Sequence, residues 1–239
     1  DILEANGSVN FGSNKAYRAM LKKIKAGSPA TNPDDLQYIL DNVDVDNLFE
    51  YMALEMFVGN SDIGNIRYYR LHQEGSKWKW IWYDADYGLY SSKFNSPWSY
   101  LKVKGMGEQK IDNTIFLKLL EHPDYKRKFL EKLADVYKTF TTEYMTQVLD
   151  GVVAEIQPEM KNHWERWGEL NDKAVTSEVP TTIDGAYTYW ESRVNRLYNT
   201  LKVRPHRLWD FIKDEFKLTK AEMEELFGPQ PDYPDDAVL

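Results

Sequence analysis

The sequence predicts an α+β fold made predominantly of helix, and three observations carry the prediction. Apolar positions recur at helical spacing through most of residues 113–227. A single convincing hairpin occupies residues 66–83, and the segment just before it is apolar on nearly every side.

From the front, Ala16, Tyr17, Met20, Leu21 and Ile24 mark a first helix, and "NPDDLQYIL" starts a second, with Asn32 as cap, Pro33 at the first helical position and two acids in the first turn. The decapeptide "NGSVNFGSNK" before them reads as a turn approaching a helix, since no strand pattern flanks its glycines. Over residues 46–58 the apolar side chains Leu48, Phe49, Met52, Leu54, Met56 and Phe57 cover most of the circumference. That is a buried helix, ending at Gly59. The hairpin pairs residues 66–71 with 78–83 around "HQEGSK", and Trp78, Trp80 and Trp82 share one face at period two. "YSSKFNSPWSYLKVKGMGEQK" reads as loop. Helices are then expected over 113–121, 123–139, 142–156, 182–203, 205–216 and 219–227, the last opened by a Thr219/Glu222 capping box. "GPQPDYPDDAVL" holds too many prolines and acids to pack, so residues 228–239 read as a loose tail behind a single domain of residues 1–227.

Composition narrows the function classes. With 239 residues, 42% apolar and 14% aromatic, the chain can bury a substantial core. A net charge of −8 argues against nucleic acid as partner, because phosphate neutralisation needs clustered Lys and Arg. Without cysteine there is no disulfide, thiolate ligand or thiol nucleophile. No apolar run approaches the ~20 residues of a membrane span. The opening "DILEANGSV", without an initiating Met, reads as a mature product or a piece of something longer.

Chemistry concentrates at one end of the hairpin. An antiparallel pair with matched arms returns the chain to its start, so "GNSDIGN" before the first strand and "DADYG" after the second should lie side by side. That would assemble Asp62, Asn65, Asp84 and Asp86, with Asn60 close by. Convergent carboxylate and amide oxygens suit a hard cation such as magnesium, completed by water and phosphate oxygens, and so suit phosphoryl transfer. Asp, Asn and Gly are equally the commonest turn residues, and on these residues taken by themselves a turn and a metal site stand at even weight.

The same residues carry a resemblance. "GNSDIGNIRYYR" followed by "KWKWIWYDADYGLY", together with "DILEANGSVNFGSNKAYRAML", "EIQPEMKNHWERWG" and "WESRVNRLYNTLKVRPHRLWDFIKDEFKL", resembles the spore coat protein H-like (CotH) kinases, a family of atypical protein kinases, over about residues 1–218. The resemblance implies the large lobe of an atypical kinase, with most of the small lobe missing and a short hairpin carrying the active-site loops. It implies transfer of the γ-phosphoryl of ATP to a protein Ser/Thr hydroxyl with Mg2+ or Mn2+, a spore-coat or envelope protein as acceptor, and an extracytoplasmic, cell-envelope or spore-coat setting. By position Asp62 is the catalytic aspartate, Asn65 a metal ligand in contact with the nucleotide's ion, and Asp84 the metal-binding aspartate. Asp86 rivals Asp84, because "DYG" imitates the DFG of kinases more literally. The pattern departs from a kinase loop in that only Ile63 and Gly64 separate Asp62 from Asn65, where four residues are usual. A lobe fragment of this kind would bind metal yet phosphorylate poorly on its own. Two other classes stay in view: an inactive pseudokinase or surface binding module, and a metal-dependent phosphate-ester hydrolase.

Elsewhere the signals are weak. His72, His122, His163 and His206 have no ligand spacing and read as surface or packing residues. Arg67 and Arg70 could touch phosphate but are by default solvated strand residues. Arg166 in "HWERW" could approach an anion, although Trp164 and Trp167 at helical spacing read as core or interface. No GxSxG setting supports a serine nucleophile.

Overall fold

One inward-facing side chain in each of three short strands, and burial nearly all round one helix, set the framework that holds the hairpin end. The computed structural model describes residues 1–102, 111–167, 180 and 182–235. Its elements run β1 (Ile2–Glu4), β2 (Ser8–Phe11), α1 (Lys15–Ala26), α2 (Pro33–Asn42), α3 (Val45–Val58), β3 (Arg67–Tyr69), β4 (Lys79–Ile81), α4 (Ser96–Lys102), α5 (Thr114–Leu120), α6 (Pro123–Thr139), α7 (Thr142–Ile156), α8 (Met160–Trp167), α9 (Ile183–Phe216) and α10 (Lys220–Phe227). The chain divides into two compact units. The first comprises Asp1–Thr139 and His206–Pro231, the second Phe140–Pro205 and Asp232–Leu239.

In the first unit the expected hairpin forms, antiparallel, with Tyr68 opposite Trp80, though its strands are shorter than the arms the sequence suggested. It is not by itself. The N-terminal stretch expected to be a turn before a helix is a second hairpin, and the four strands make one sheet in the order β2-β1-β3-β4. Its turn is Ala5 to Ser8, closed by the Ser8 amide on the Ala5 carbonyl at 3.0 Å, with Asn6 and Gly7 at φ +48° and +86°. Two central residues at positive φ make the mirror-image turn that Asn-Gly favours. The strand pattern is there, Ser8-Val9-Asn10-Phe11 alternating polar and apolar behind the Asn6-Gly7 turn, but it is only four residues long and Val9 and Phe11 face water rather than a core.

On one side of the sheet Tyr17, Tyr68, Trp78 and Trp80 pack as an aromatic cluster, with Tyr17 and Tyr68 ring centroids 4.6 Å apart. Trp82, expected on the same face, lies past the end of β4 and is 45% exposed. Helix α3 is buried as anticipated and packs its Phe49 against Phe116 and Phe129, whose rings stand 4.7 Å apart. Residues Leu208, Trp209, Ile212 and Phe216 of α9, with Met223, Leu226 and Phe227 of α10, complete this core. Both caps anticipated from sequence form: the Asn32 side chain accepts from the Asp34 amide, and Thr219 and Glu222 make the reciprocal capping box.

Two further expectations are corrected. Part of the stretch read as loop is helix α4, started by Asn95, whose side chain accepts the Trp98 amide at 3.0 Å, and held by burial of Ser96, Pro97, Ser99 and Tyr100. Residues 103–110 of that stretch lie outside the described residues. The helices expected over 182–203 and 205–216 are one helix, α9, with Pro205 inside it. Proline removes one backbone bond at a cost of ~3 kcal/mol, yet Leu201, Val203, Leu208 and Trp209 are all buried around it, and burying one such side chain contributes roughly 1.5–3 kcal/mol.

In the second unit, α7 is followed by a 3-10 turn (Gln157–Glu159) and by α8, which the sequence reading did not separate as a helix. Trp164 is half-buried and Trp167 exposed, so neither forms core. The Tyr198 hydroxyl donates to Asp150 and the Gln157 amide to Tyr187, tying α7 and the turn after it to α9. Residues 228–235 carry no helix or strand, and His206 Nδ1 lies 2.7 Å from the Pro231 carbonyl; residues 236–239 of the expected tail lie outside the described residues.

Candidate functional site

Where α3 ends, Gly59 adopts φ +66°, a left-handed cap that turns the chain sharply into the acid-bearing loop. The next residues are buried: Asn60 is 1% and Ser61 4% exposed. Asn60 Oδ1 accepts the Asp62 amide at 3.0 Å, and the Asp62 carbonyl accepts the Asn65 amide at 3.1 Å, so two nested turns present the half-buried Asp62.

The second loop leaves β4 through Tyr83 and Asp84. It is strapped back onto α3: the Leu89 amide donates to the Val58 carbonyl at 2.6 Å, and Gly88 lies so close that a Cβ there would stand 2.8 Å from the Ala85 carbonyl and 3.0 Å from the Val58 side chain. The two acid-bearing loops therefore meet. The Asn65 Nδ2 donates to Asp84 Oδ2 at 2.5 Å, and the Tyr83 hydroxyl donates to Asn65 Oδ1 at 2.5 Å. Asp84 itself sits at φ +52°, a conformation most side chains avoid and Asp tolerates better than most. The turn closed by the Asn65 amide on the Asp62 carbonyl keeps Asp62 in the same neighbourhood.

The expected members of the site thus separate. Asn65 and Asp84 are in direct contact, with Asp62 beside them. Asp86 is exposed on the turn that follows. Asn60 is drawn inward as a support for Asp62. Among the described residues no three His, Asp or Glu side chains gather as a ready-made metal cage. What the junction offers is oxygen donors, from one exposed carboxylate, one amide and the neighbouring Asp62.

Beneath the loops lies what sequence reasoning missed. Glu55, on α3, is 1% exposed and accepts the Tyr100 hydroxyl at 2.8 Å. Burial raises its carboxyl above the usual range, opposed by donors from Tyr100, Asn60, Tyr51 and Trp82. Burial likewise raises the Tyr51 and Tyr100 phenols well above their ordinary value, with the Glu55 charge adding to it. A signal did exist: an acid within a run that buries on all sides must point either at water or at donors.

Arg67 and Arg70 are engaged elsewhere. Arg67 pairs with Glu4 at 3.0 Å and stacks over the Tyr83 ring at 4.6 Å, which holds that tyrosine in place. Arg70 lies 3.8 Å from the Asp1 carboxylate and over Trp78. Arg166, in the second unit, stands over Trp167. Of the histidines, His72 pairs with Asp1 and His122 accepts the Asp124 amide.

Comparison with curated proteins and with solved structures gives no match. A family model described as CotH kinase protein matches residues 4–208. The matched span takes in both acid-bearing loops and the hairpin that joins them, and the chain belongs to the CotH kinase family.

Proposed function

We propose that this chain is the catalytic lobe of an ATP-dependent protein kinase that transfers the γ-phosphoryl group to a protein Ser or Thr hydroxyl. The observation that carries the reading is the contact of Asn65 with Asp84 across the hairpin, which sets the two acid loops of this kinase-like family against each other beside Asp62. Asp62 serves as the base that orients the acceptor hydroxyl and takes its proton. Asp84 and Asn65, with Asp86 in reserve, are the oxygen donors that would hold Mg2+ or Mn2+; the ion, when bound, neutralises charge on the phosphates. Magnesium is ordinarily held by one or two carboxylates together with substrate phosphates, so a site of this donor set fits it without a cage of three acids. Tyr83 keeps the Asn65 amide oriented, and Arg67 keeps Tyr83 in place.

The test is phosphoryl transfer with manganese and ATP, beside calorimetric titration of each singly and both together. Asp62→Ala and Asp84→Ala are expected to lower transfer by at least ~10³-fold with the far- and near-ultraviolet circular dichroism unchanged. Full activity in either variant removes the assignment. A second reading, an inactive kinase-like binding module, draws on the spacing of the first loop, where only Ile63 and Gly64 separate Asp62 from Asn65. It predicts metal or nucleotide binding without transfer to any protein, whereas a phosphate-ester hydrolase would release phosphate with no acceptor present.

A further inference from the structure

Of the acids on α3, Asp46 and Glu50 face water and Glu55 is buried. Taking a carboxylate out of water costs several kcal/mol unless donors replace the solvent. Here they do. The Tyr100 hydroxyl sits at 2.8 Å on Oε2, while Tyr51, Asn60 and Trp82 turn donors toward the group at longer range, leaving Oε1 without a partner at hydrogen-bond distance. Among the described residues the titratable groups around Glu55 are Tyr51 on the same helix, Tyr100 on α4, Tyr83 beyond β4 and Asp62 in the loop, and no described Lys, Arg or His pairs with it. Nothing in the proposed transfer uses it.

The link to the site is Asn60. Its amide has one acceptor side and one donor side. Oδ1 takes the Asp62 amide at 3.0 Å, so Nδ2 faces the Glu55 carboxylate. A carboxylate, which only accepts, reinforces that orientation; without it the Asp62 amide alone opposes a flip of the Asn60 side chain. Gly59, Asn60 and Ser61 are buried and Asp62 is half-buried, so an error at Asn60 passes directly to Asp62.

We propose that Glu55 is a positioning residue of the candidate phosphoryl-transfer site, acting through Asn60 on the loop that carries Asp62. This rests on the role given to Asp62 above, and the test separates the two. Glu55→Gln keeps the volume but puts an amide N–H among donors. Asn60→Asp keeps the acceptor for the Asp62 amide but sets two carboxylates against each other. The double variant E55Q/N60D restores a donor facing an acceptor with the polarity reversed. Each single variant is expected to lower kcat by about tenfold with KM for ATP within about twofold, and the double to recover to within about threefold of wild type. Amide hydrogen exchange at Asp62, read by NMR on the full chain without substrate, should accelerate in each single variant and slow again in the double.

Single variants with unchanged kcat and unchanged exchange overturn the proposal, as does a double no better than the worse single. If the wild type transfers no phosphoryl group, the kinase reading fails, and the exchange pattern decides the positioning role by itself.

Discussion

At the scale of single residues, the buried acid makes a prediction that needs no substrate. Glu55 has its folded pKa raised by burial above the ordinary 4.5. A carboxyl with a raised folded value holds its proton more tightly in the native state than in the unfolded one. Its contribution to stability is therefore fully present below about pH 4.5 and is lost as pH rises through the folded value, at about 1.4 kcal/mol per unit of difference. Glu55→Gln cannot titrate. Thermal unfolding across pH 4 to 8 should show wild type losing stability relative to the variant as pH climbs, with the gap levelling off above the folded value. A constant gap from pH 4 upward would mean that Glu55 does not titrate in that window. The residues of the site were legible in part. Asp62, Asn65 and Asp84 stand out because acids and amides cluster at two junctions of one hairpin. Glu55 does not stand out, because an acid on a helix is usually solvated, and its burial depends on Tyr100, 45 residues further along. Asn60 was visible as a polar loop residue, but its inward turn toward the Asp62 amide is a matter of rotamer and burial.

At the scale of elements, the feature that sets the site is the strap joining the loop after β4 to the end of α3. Strand pairing brings the loops to the same end, yet the Leu89-to-Val58 bond and the close approach of Gly88 fix them in contact. Gly88→Ala would force a Cβ to within 2.8 Å of the Ala85 carbonyl. Since backbone is what it meets, the strap must lift, at a cost of about 1–3 kcal/mol. Chemical denaturation should register that loss, and transfer should fall with it if the Asn65–Asp84 contact is what the strap maintains. A variant with wild-type stability would show that the loop accommodates a methyl group. Helices were the more readable elements: α3, α6 and α10 announce themselves by periodicity and caps. The short strands β1 and β2 went unread although Asn6-Gly7 between them is a hairpin signal, because each is only three or four residues long, and α4 was hidden in a polar, aromatic stretch whose buried residues are serines, a proline and a tyrosine rather than aliphatic side chains.

At the scale of the whole molecule, the first unit is discontinuous in sequence. Its core draws on Leu208, Trp209, Ile212 and Phe216 and on Met223, Leu226 and Phe227, all beyond the Pro205 boundary. Fully burying seven such side chains contributes roughly 10–20 kcal/mol, which matches or exceeds the 5–15 kcal/mol net stability of a typical domain. A chain cut after Pro205 should therefore lose its near-ultraviolet circular dichroism and its cooperative unfolding transition, although Asp62, Asn65 and Asp84 are all retained. A cooperative transition in that truncated chain would show that the C-terminal helices are dispensable to the unit. The same reasoning explains why α9 runs through Pro205: the missing backbone bond is a local cost, whereas the flanking buried side chains belong to the packing of the unit on their own side of it.

By itself the sequence determined the predominance of helix, the hairpin, the caps at Asn32 and Thr219 and the family resemblance, because periodicity, turn chemistry and capping act over a few residues. Tertiary structure decided which acids meet. Contact between Asn65 and Asp84, burial of Glu55 and the pairing of β1 with β3 each depend on groups far apart in the chain, and a desolvated carboxylate has no local pattern from which to be read.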